Sequence, residues 1–310
     1  MPLSHWTPGV DKQGRELAKH GSAAFPMGCY YDALSIEPVA WHWHEELECA
    51  FVTEGSCTFL IGAKRCTLQT GEGIFIIPGV VHAVADPLFD PSMTKPSDCR
   101  LHSMCFHPRL VGGSPESAIW HNYVQPLTDD VSTPYLHLDP EIPWQRQALE
   151  AIESAWQTCV GDAPGYELQV RNQLSQLLWL LISNRETVKA KPSEKAIRDS
   201  ERIKIMLNYI HNHFDEELDT AAIAQSANIS VSECLRCFHN TIHTTPIQYV
   251  KQYRIQRAAR LLTTTDRKIM EIGRQCGFQE MSYFSRVFRE IMGCGPREYR
   301  RKEQSVNKTI

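Results

Sequence analysis

The chain reads as two unlike domains: an all-β jelly-roll barrel followed by helices, then an all-α domain with two helix-turn-helix motifs. Three observations predict this. Short strand-like runs broken by Gly and Pro fill residues 25–107, two apolar stretches at helical spacing follow, and one residue pattern is written twice in the last hundred positions. A length of 310 residues fits that division, since domains average about 100–200 residues.

At the N-terminus, Met1-Pro2-Leu3-Ser4 leads into polar sequence, so no signal peptide is expected. No stretch approaches the roughly 18–20 apolar residues of a membrane span. The 11 Cys are scattered, with no Cys-x-x-Cys pair expected for zinc or redox work, and read as reduced thiols of a cytoplasmic protein. The runs Glu48–Thr53, Cys57–Ile61 and Gly73–Ile77 alternate or stay apolar. Gly55, Gly62, Gly71, Gly73 and Pro78-Gly79 punctuate them at hairpin spacing. Many short antiparallel strands in one region imply a jelly roll or barrel.

One constellation stands out among these strands: His42-Trp43-His44, Glu48 and Gly55, then Gly73, Pro78-Gly79 and His82. Residues two apart on a strand share a side, so His42 and His44 are expected to converge on the barrel interior. Glu48 keeps the same parity, and His82 is expected to join from a facing strand. Imidazole and carboxylate ligands suit a divalent Zn, Fe, Mn or Ni ion. The same four side chains could instead contact an organic ligand directly or hydrogen-bond one another. Trp43, with Trp41 beside it, offers either an aromatic face for a sugar ring or core material. The pattern resembles the two motifs of the cupin fold, whose metal sites use two His, a Glu and a third His. Cys99, His102, Cys105 and His107 also cluster, but their alternation reads as a strand with mixed faces rather than a zinc site.

Two helical stretches come next. Pro143–Cys159 carries Leu149, Ile152 and Trp156 on one stripe, and Tyr166–Asn184 carries Leu168, Val170, Leu174, Leu177, Leu178 and Leu181. The second is apolar enough to want a partner, either a second copy of the chain or its own barrel. The polar stretch Thr187–Lys195, with Pro192, reads as a linker. The expected boundaries are 1–140 for the barrel, 141–186 for a helical dimerisation segment, 187–200 for the linker and 201–303 for the all-α domain.

The duplicated pattern justifies the last domain. Ile223, Ala224, Ala227, Asn228, Arg236, Phe238, Pro246 and Tyr249 recur as Ile272, Gly273, Cys276, Gly277, Arg286, Phe288, Pro296 and Tyr299. The offset is about 49 positions through the turn and about 50 after it, so one residue is inserted between. Such a repeat is one supersecondary unit built twice. Asn228 and Gly277 end the first helices, where a left-handed backbone is needed. Ala224 and Gly273 let the second helix cross closely. Ser230 is the expected N-cap of the first recognition helix, with Glu233 in capping-box spacing, and Gln279 is a weaker cap in the second copy. The exposed residues nominated to contact double-stranded DNA are Ser230, Ser232, Leu235 and Arg236 in the first unit. In the second they are Gln279, Met281, Ser282, Ser285 and Arg286. Each Arg could bind a base, a phosphate or a neighbouring carboxylate. From Lys195 onward the chain has 19 Lys and Arg against 13 Asp and Glu, whereas the preceding part has 13 against 23. A basic module beside an acidic one fits phosphate binding by one half.

With Gly277-Phe278, Tyr283-Phe284-Ser285-Arg286, Phe288, Gly293, Pro296 and Tyr299-Arg300, the C-terminal stretch resembles the DNA-binding domain of the AraC family of bacterial transcription regulators. Arg254, Ala258 and Leu262 stand where the family's linker helix has Arg, Ala and Leu. Departures are Cys234 for Leu, His243 for Gly and Gly273 for Ala. The resemblance implies a cytoplasmic homodimer that binds promoter or operator DNA through two successive major grooves, contacts RNA polymerase if it activates, and answers a small, sugar-like effector in the barrel. A metal-dependent cupin enzyme, or a metal sensor, fused to a DNA-binding domain is the rival expectation.

Overall fold

The computed structural model of the protein describes residues 20–33, 39–84, 99–184 and 194–306. They divide into two units, one ending at Arg198 and the other beginning at Asp199.

Nine strands build the first unit: β1 (Met27–Ala33), β2 (Val39–His42), β3 (Leu47–Glu54), β4 (Ser56–Ile61), β5 (Lys64–Gln69), β6 (Gly73–Ile76), β7 (His82–Val84), β8 (Arg100–Phe106) and β9 (Tyr135–Leu138). All pairings are antiparallel. One sheet has the order β1-β8-β3-β6-β9 and the other β2-β7-β4-β5. This is the expected all-β barrel, and its two faces follow from strand alternation. On β3, Ala50 and Val52 join Phe59, Leu68, Ile74 and Leu101 in the core between the sheets. Leu47 and Cys49 point the other way, with Phe75, Met104 and Phe106, toward a helical layer.

That layer starts with a short helix α1 (Arg109–Gly112) and a π-helical turn, Trp120–Val124, that runs into α2 (Gln125–Thr128). It is completed by α3 (Pro143–Gly161) and α4 (Tyr166–Ser183). Both long helices match their sequence expectation to within two residues. Trp156 of α3 donates its indole N–H to the Tyr30 carbonyl at 2.9 Å and stacks on His102 of β8 at 3.6 Å between centroids. Val170, Leu174, Leu177, Leu178 and Leu181 of α4 are buried against this same core. Each such aliphatic contributes about 1.5–3 kcal/mol on burial, so the α4 stripe is spent on its own barrel. Leu168, expected on that stripe, is 68% exposed, as is Trp179 at 57%, and both lie on the outward face.

The second unit holds α5 (Glu194–His213) from Asp199 onward, with α6 (Thr220–Ser226), α7 (Val231–Ile242), α8 (Pro246–Thr264), α9 (Ile269–Gln275), α10 (Met281–Met292) and α11 (Pro296–Val306). Residues 194–200, expected as linker, belong to α5. Its buried Ile203, Met206, Leu207 and Ile210 recur at helical spacing, and that periodicity extends the helix. The remainder of the expected linker lies outside the described residues. The central α8 is closed at its C-terminal end by Arg300, whose guanidinium donates to the carbonyls of Leu262, Thr265 and Arg267. Arg254 of α8 does the same at the end of α5, donating to Phe214 and Glu216 carbonyls at 2.5 Å each. Helix ends leave unpaired carbonyls, and two half-buried arginines satisfy them here.

Candidate functional site

The barrel brings His42, His44, Glu48 and His82 together: one ligand atom from each lies within 4.8 Å of the others, and all four residues are buried. Among the described residues this is the one group of three or more His, Cys, Asp or Glu side chains so placed. Two sheets supply it. His42 ends β2 and stands directly across from His82 on β7, so His82 comes from the neighbouring strand of the same sheet. The expectation of a facing strand is corrected: the facing strand, β3, gives Glu48. His44 sits in the β2–β3 connection.

Backbone carbonyls orient the three rings. Nδ1 of His42 donates to the Ala40 carbonyl at 2.8 Å, that of His44 to Glu46 at 3.0 Å and that of His82 to Val80 at 2.9 Å. A carbonyl only accepts, so each Nδ1 carries a proton and Nε2 is left to face inward. Nε2 of His44 lies 3.1 Å and that of His82 2.8 Å from Glu48 Oε2. Burial opposes ionisation of Glu48. The His82 charge, with hydrogen bonds from His44 and His82, outweighs it and holds the carboxyl well below the usual carboxylate range. Neutral rings would aim lone pairs at this carboxylate, while several imidazolium ions in one buried pocket would repel each other. A divalent cation resolves both conflicts, so the donor set fits one.

Trp43, between the two histidines in sequence, is half-buried. His20, which sequence reading missed, is buried with its ring edge-on to His44 at 5.6 Å and its Nδ1 2.7 Å from the Tyr30 hydroxyl. No local pattern marks it. Alternation on β8 also separates the other cluster: His102 faces the helices and pairs with Glu153 at 2.7 Å.

The two helix-turn-helix units share one turn geometry. In the first, Asn228 N–H donates to Gln225 and Ile229 N–H to Ala224; in the second, Gly277 donates to Arg274 and Phe278 to Gly273. Both are Schellman closures around a left-handed residue, Asn228 at φ 52° and Gly277 at φ 77°. The inserted residue then falls out. Ser230 caps α7, accepting from Glu233 N–H at 3.2 Å, but the residue in that place before α10 is Glu280, with no side-chain cap bond. Gln279 is therefore the extra turn residue and not the expected cap.

Ser230, Ser232, Leu235 and Arg236 are exposed in the first unit, and Gln279, Ser282 and Arg286 in the second. Ser285 is half-buried. Met281 is also half-buried and packs on the cluster of Ile272, Phe284 and Phe288, so it serves the helix crossing rather than an exposed reading face. Arg289, exposed one turn beyond Arg286, was not nominated. One Cys-x-x-Cys spacing does occur, Cys234 and Cys237, and α7 buries both thiols; burial pushes Cys234 up to about 11.

Comparison with known proteins agrees with both halves. A helix-turn-helix domain family matches residues 223–302 and a cupin domain family matches residues 34–87. The chain is similar to an uncharacterized HTH-type transcriptional regulator, YdeC, of Bacillus subtilis, 28% identical over 94% of this chain and 97% of the relative. It is similar to the melibiose operon regulatory protein of Escherichia coli, 23% identical over 97% and 96%. The arabinose operon regulatory protein of Escherichia coli is 31% identical over 47% of this chain and 49% of its own length. Fold and site thus define a DNA-binding transcription regulator with an N-terminal cupin domain. In both halves the chain resembles the AraC-type regulators. No helix among the described residues is long and apolar enough to cross a membrane.

Proposed function

We propose that the barrel senses a small, sugar-like effector at a metal-holding centre formed by His42, His44, Glu48 and His82, and that its occupancy sets how the two recognition helices engage promoter DNA. The observation that carries this is the convergence of three carbonyl-oriented imidazoles and one carboxylate, all buried, with one ligand atom from each within 4.8 Å of the others. Regulators of melibiose and arabinose operons among the relatives support a sugar-like effector. Zn, Fe, Mn or Ni suits this donor set, and as a Lewis acid such an ion would polarise an oxygen of the bound molecule. Effector binding acts by linkage: it shifts the protein only through different affinity for its two arrangements, typically by about 1–3 kcal/mol.

In this reading Ser232, Leu235 and Arg236 of α7 and Gln279, Ser282, Ser285 and Arg286 of α10 face DNA. The outward side of α4, with Leu168 and Trp179 three turns apart, pairs two copies. In this reading the protein is a cytoplasmic bacterial regulator rather than an enzyme, and it contacts RNA polymerase if it activates. The same four donors also favour a second reading, a metal-dependent cupin enzyme or a metal sensor.

Metal content of untagged protein, purified without chelators, tests the centre. Near-stoichiometric metal that falls to background in His42→Ala supports it. A metal-free parent would instead make the four residues a direct binding surface for an organic effector. Turnover of a sugar or oxygen-dependent substrate, abolished by His42→Ala, would favour the enzyme.

A further inference from the structure

The two recognition helices present their equivalent arginines differently. Arg286 on α10 is exposed, with its guanidinium 5.3 Å from the Tyr283 ring centre and 3.9 Å from an equally exposed Glu290. Arg236 on α7 is ion-paired from two sides: Nη2 lies 3.8 Å from Asp199 Oδ1 and 3.8 Å from Glu233 Oε1. Asp199 comes from another helix, α5, and its side chain is only 13% exposed. It also receives Arg202 at 3.7 Å and the Cys237 thiol at 3.6 Å, while Arg202 reaches Glu233 at 3.4 Å. Two carboxylates and two guanidiniums thus form a ring joining α5 to the first recognition helix.

We infer that Asp199 is an internal competitor for DNA: its carboxylate occupies the place of a phosphate or base oxygen on Arg236, so that the first helix-turn-helix binds weakly and the second carries most of the sequence-reading energy. The chemistry is simple exchange. At 3.8 Å the pair is ionic rather than hydrogen-bonded, so Asp199 and a DNA phosphate compete for the same positive charge, and a DNA contact through Arg236 weakens the ring. No such exchange taxes Arg286 beyond its loose, solvent-screened pair with Glu290. A shielded carboxylate holds its partner better than an exposed one, because water screens it less. The inference rests on reading α7 and α10 as the DNA-contacting helices.

The test uses the full chain and a labelled duplex selected by the parent protein from a random library, with affinity measured across a salt series. Asp199→Asn should bind about threefold tighter, within the range that partly exposed pairs allow. Its salt slope should steepen by about 0.9 if Arg236 then takes a phosphate. In the double variant Asp199→Asn with Arg236→Ala the gain should vanish. Glu201→Gln, the same charge change at an exposed site on α5, measures the general benefit of removing a negative charge. A gain as large from Glu201→Gln, or one that survives in the double variant, overturns the inference. So does unchanged affinity of a folded Asp199→Asn. If that variant melts early, Glu233→Gln removes the other carboxylate and must give the same gain through Arg236. Arg286→Ala separates the two readings. A loss of about tenfold or more keeps α10 as a reading helix whatever Asp199→Asn does, and no loss overturns the assignment of both helices together with this inference.

Discussion

The first helix-turn-helix stabilises its helix starts with side chains; the second stabilises its helix ends with glycine. Asp219 and Ser230 cap α6 and α7, accepting from Ala222 and Glu233 N–H groups. Neither N-cap residue of α9 or α10, Lys268 or Glu280, accepts such a bond, although Glu271 reaches back to Lys268 N–H at 3.3 Å. The left-handed positions show the reverse. Asn228 and His243 adopt φ 52° in the first unit, where the second has Gly277 and Gly293 at φ 77° and 72°. A side chain in that region costs about 1–2 kcal/mol, and a cap contributes about 1 kcal/mol. The same backbone is thus reached with the local cost placed at opposite ends of the helices.

The sharpest way to break this comparison is at the turn. A Cβ on Gly277 would sit 2.7 Å from the Phe214 carbonyl oxygen and 2.9 Å from Arg254. Gly277→Ala should therefore destabilise the all-α domain by about 2–3 kcal/mol, adding contact strain to left-handed strain. Asn228→Ala, which changes only local preference, should cost about 1 kcal/mol. Urea unfolding followed by α-helical ellipticity would measure both, and equal losses would deny the close approach at Gly277. Ser230→Ala comes next, with a loss of about 1 kcal/mol. Replacing His243 with Gly should raise stability by up to about 1 kcal/mol; a decrease would show that contacts of the imidazole outweigh the strain. The smallest effect is Glu280→Ser, a gain of a few tenths to about 1 kcal/mol from the missing cap, read as slower hydrogen exchange in the first turn of α10.

Legibility followed range. The turn repeat was readable because its signals are local: Asn228 or Gly277 ends a helix, Phe238 or Phe288 closes a stripe, and a few residues carry each. The helices α3 and α4 were readable from apolar spacing. The same spacing of Ile203, Met206, Leu207 and Ile210 marks α5, while the polar run before it reads locally as linker. Within the strand-like region β1 and β5 carry no distinct run of their own, and β9 lies beyond it. β9 pairs with β6 across some sixty positions of sequence, register Gly73 with Leu138, and four residues alone carry little period-2 signal. The N-cap of α10 is Glu280 and not Gln279; the two are chemically alike as poor caps, so the local sequence does not distinguish them.

The sequence by itself determined the two-domain division, the doubled helix-turn-helix and the four residues His42, His44, Glu48 and His82, because each rests on residue type at fixed short spacing. Tertiary structure alone decided which sheet supplies Glu48, that the α4 stripe is buried on its own barrel, and that Arg236 is held by Asp199 while Arg286 is not. Those outcomes depend on distances between segments far apart in the chain. No local pattern encodes them, because a carboxylate 37 positions away reaches an arginine only after the helices pack.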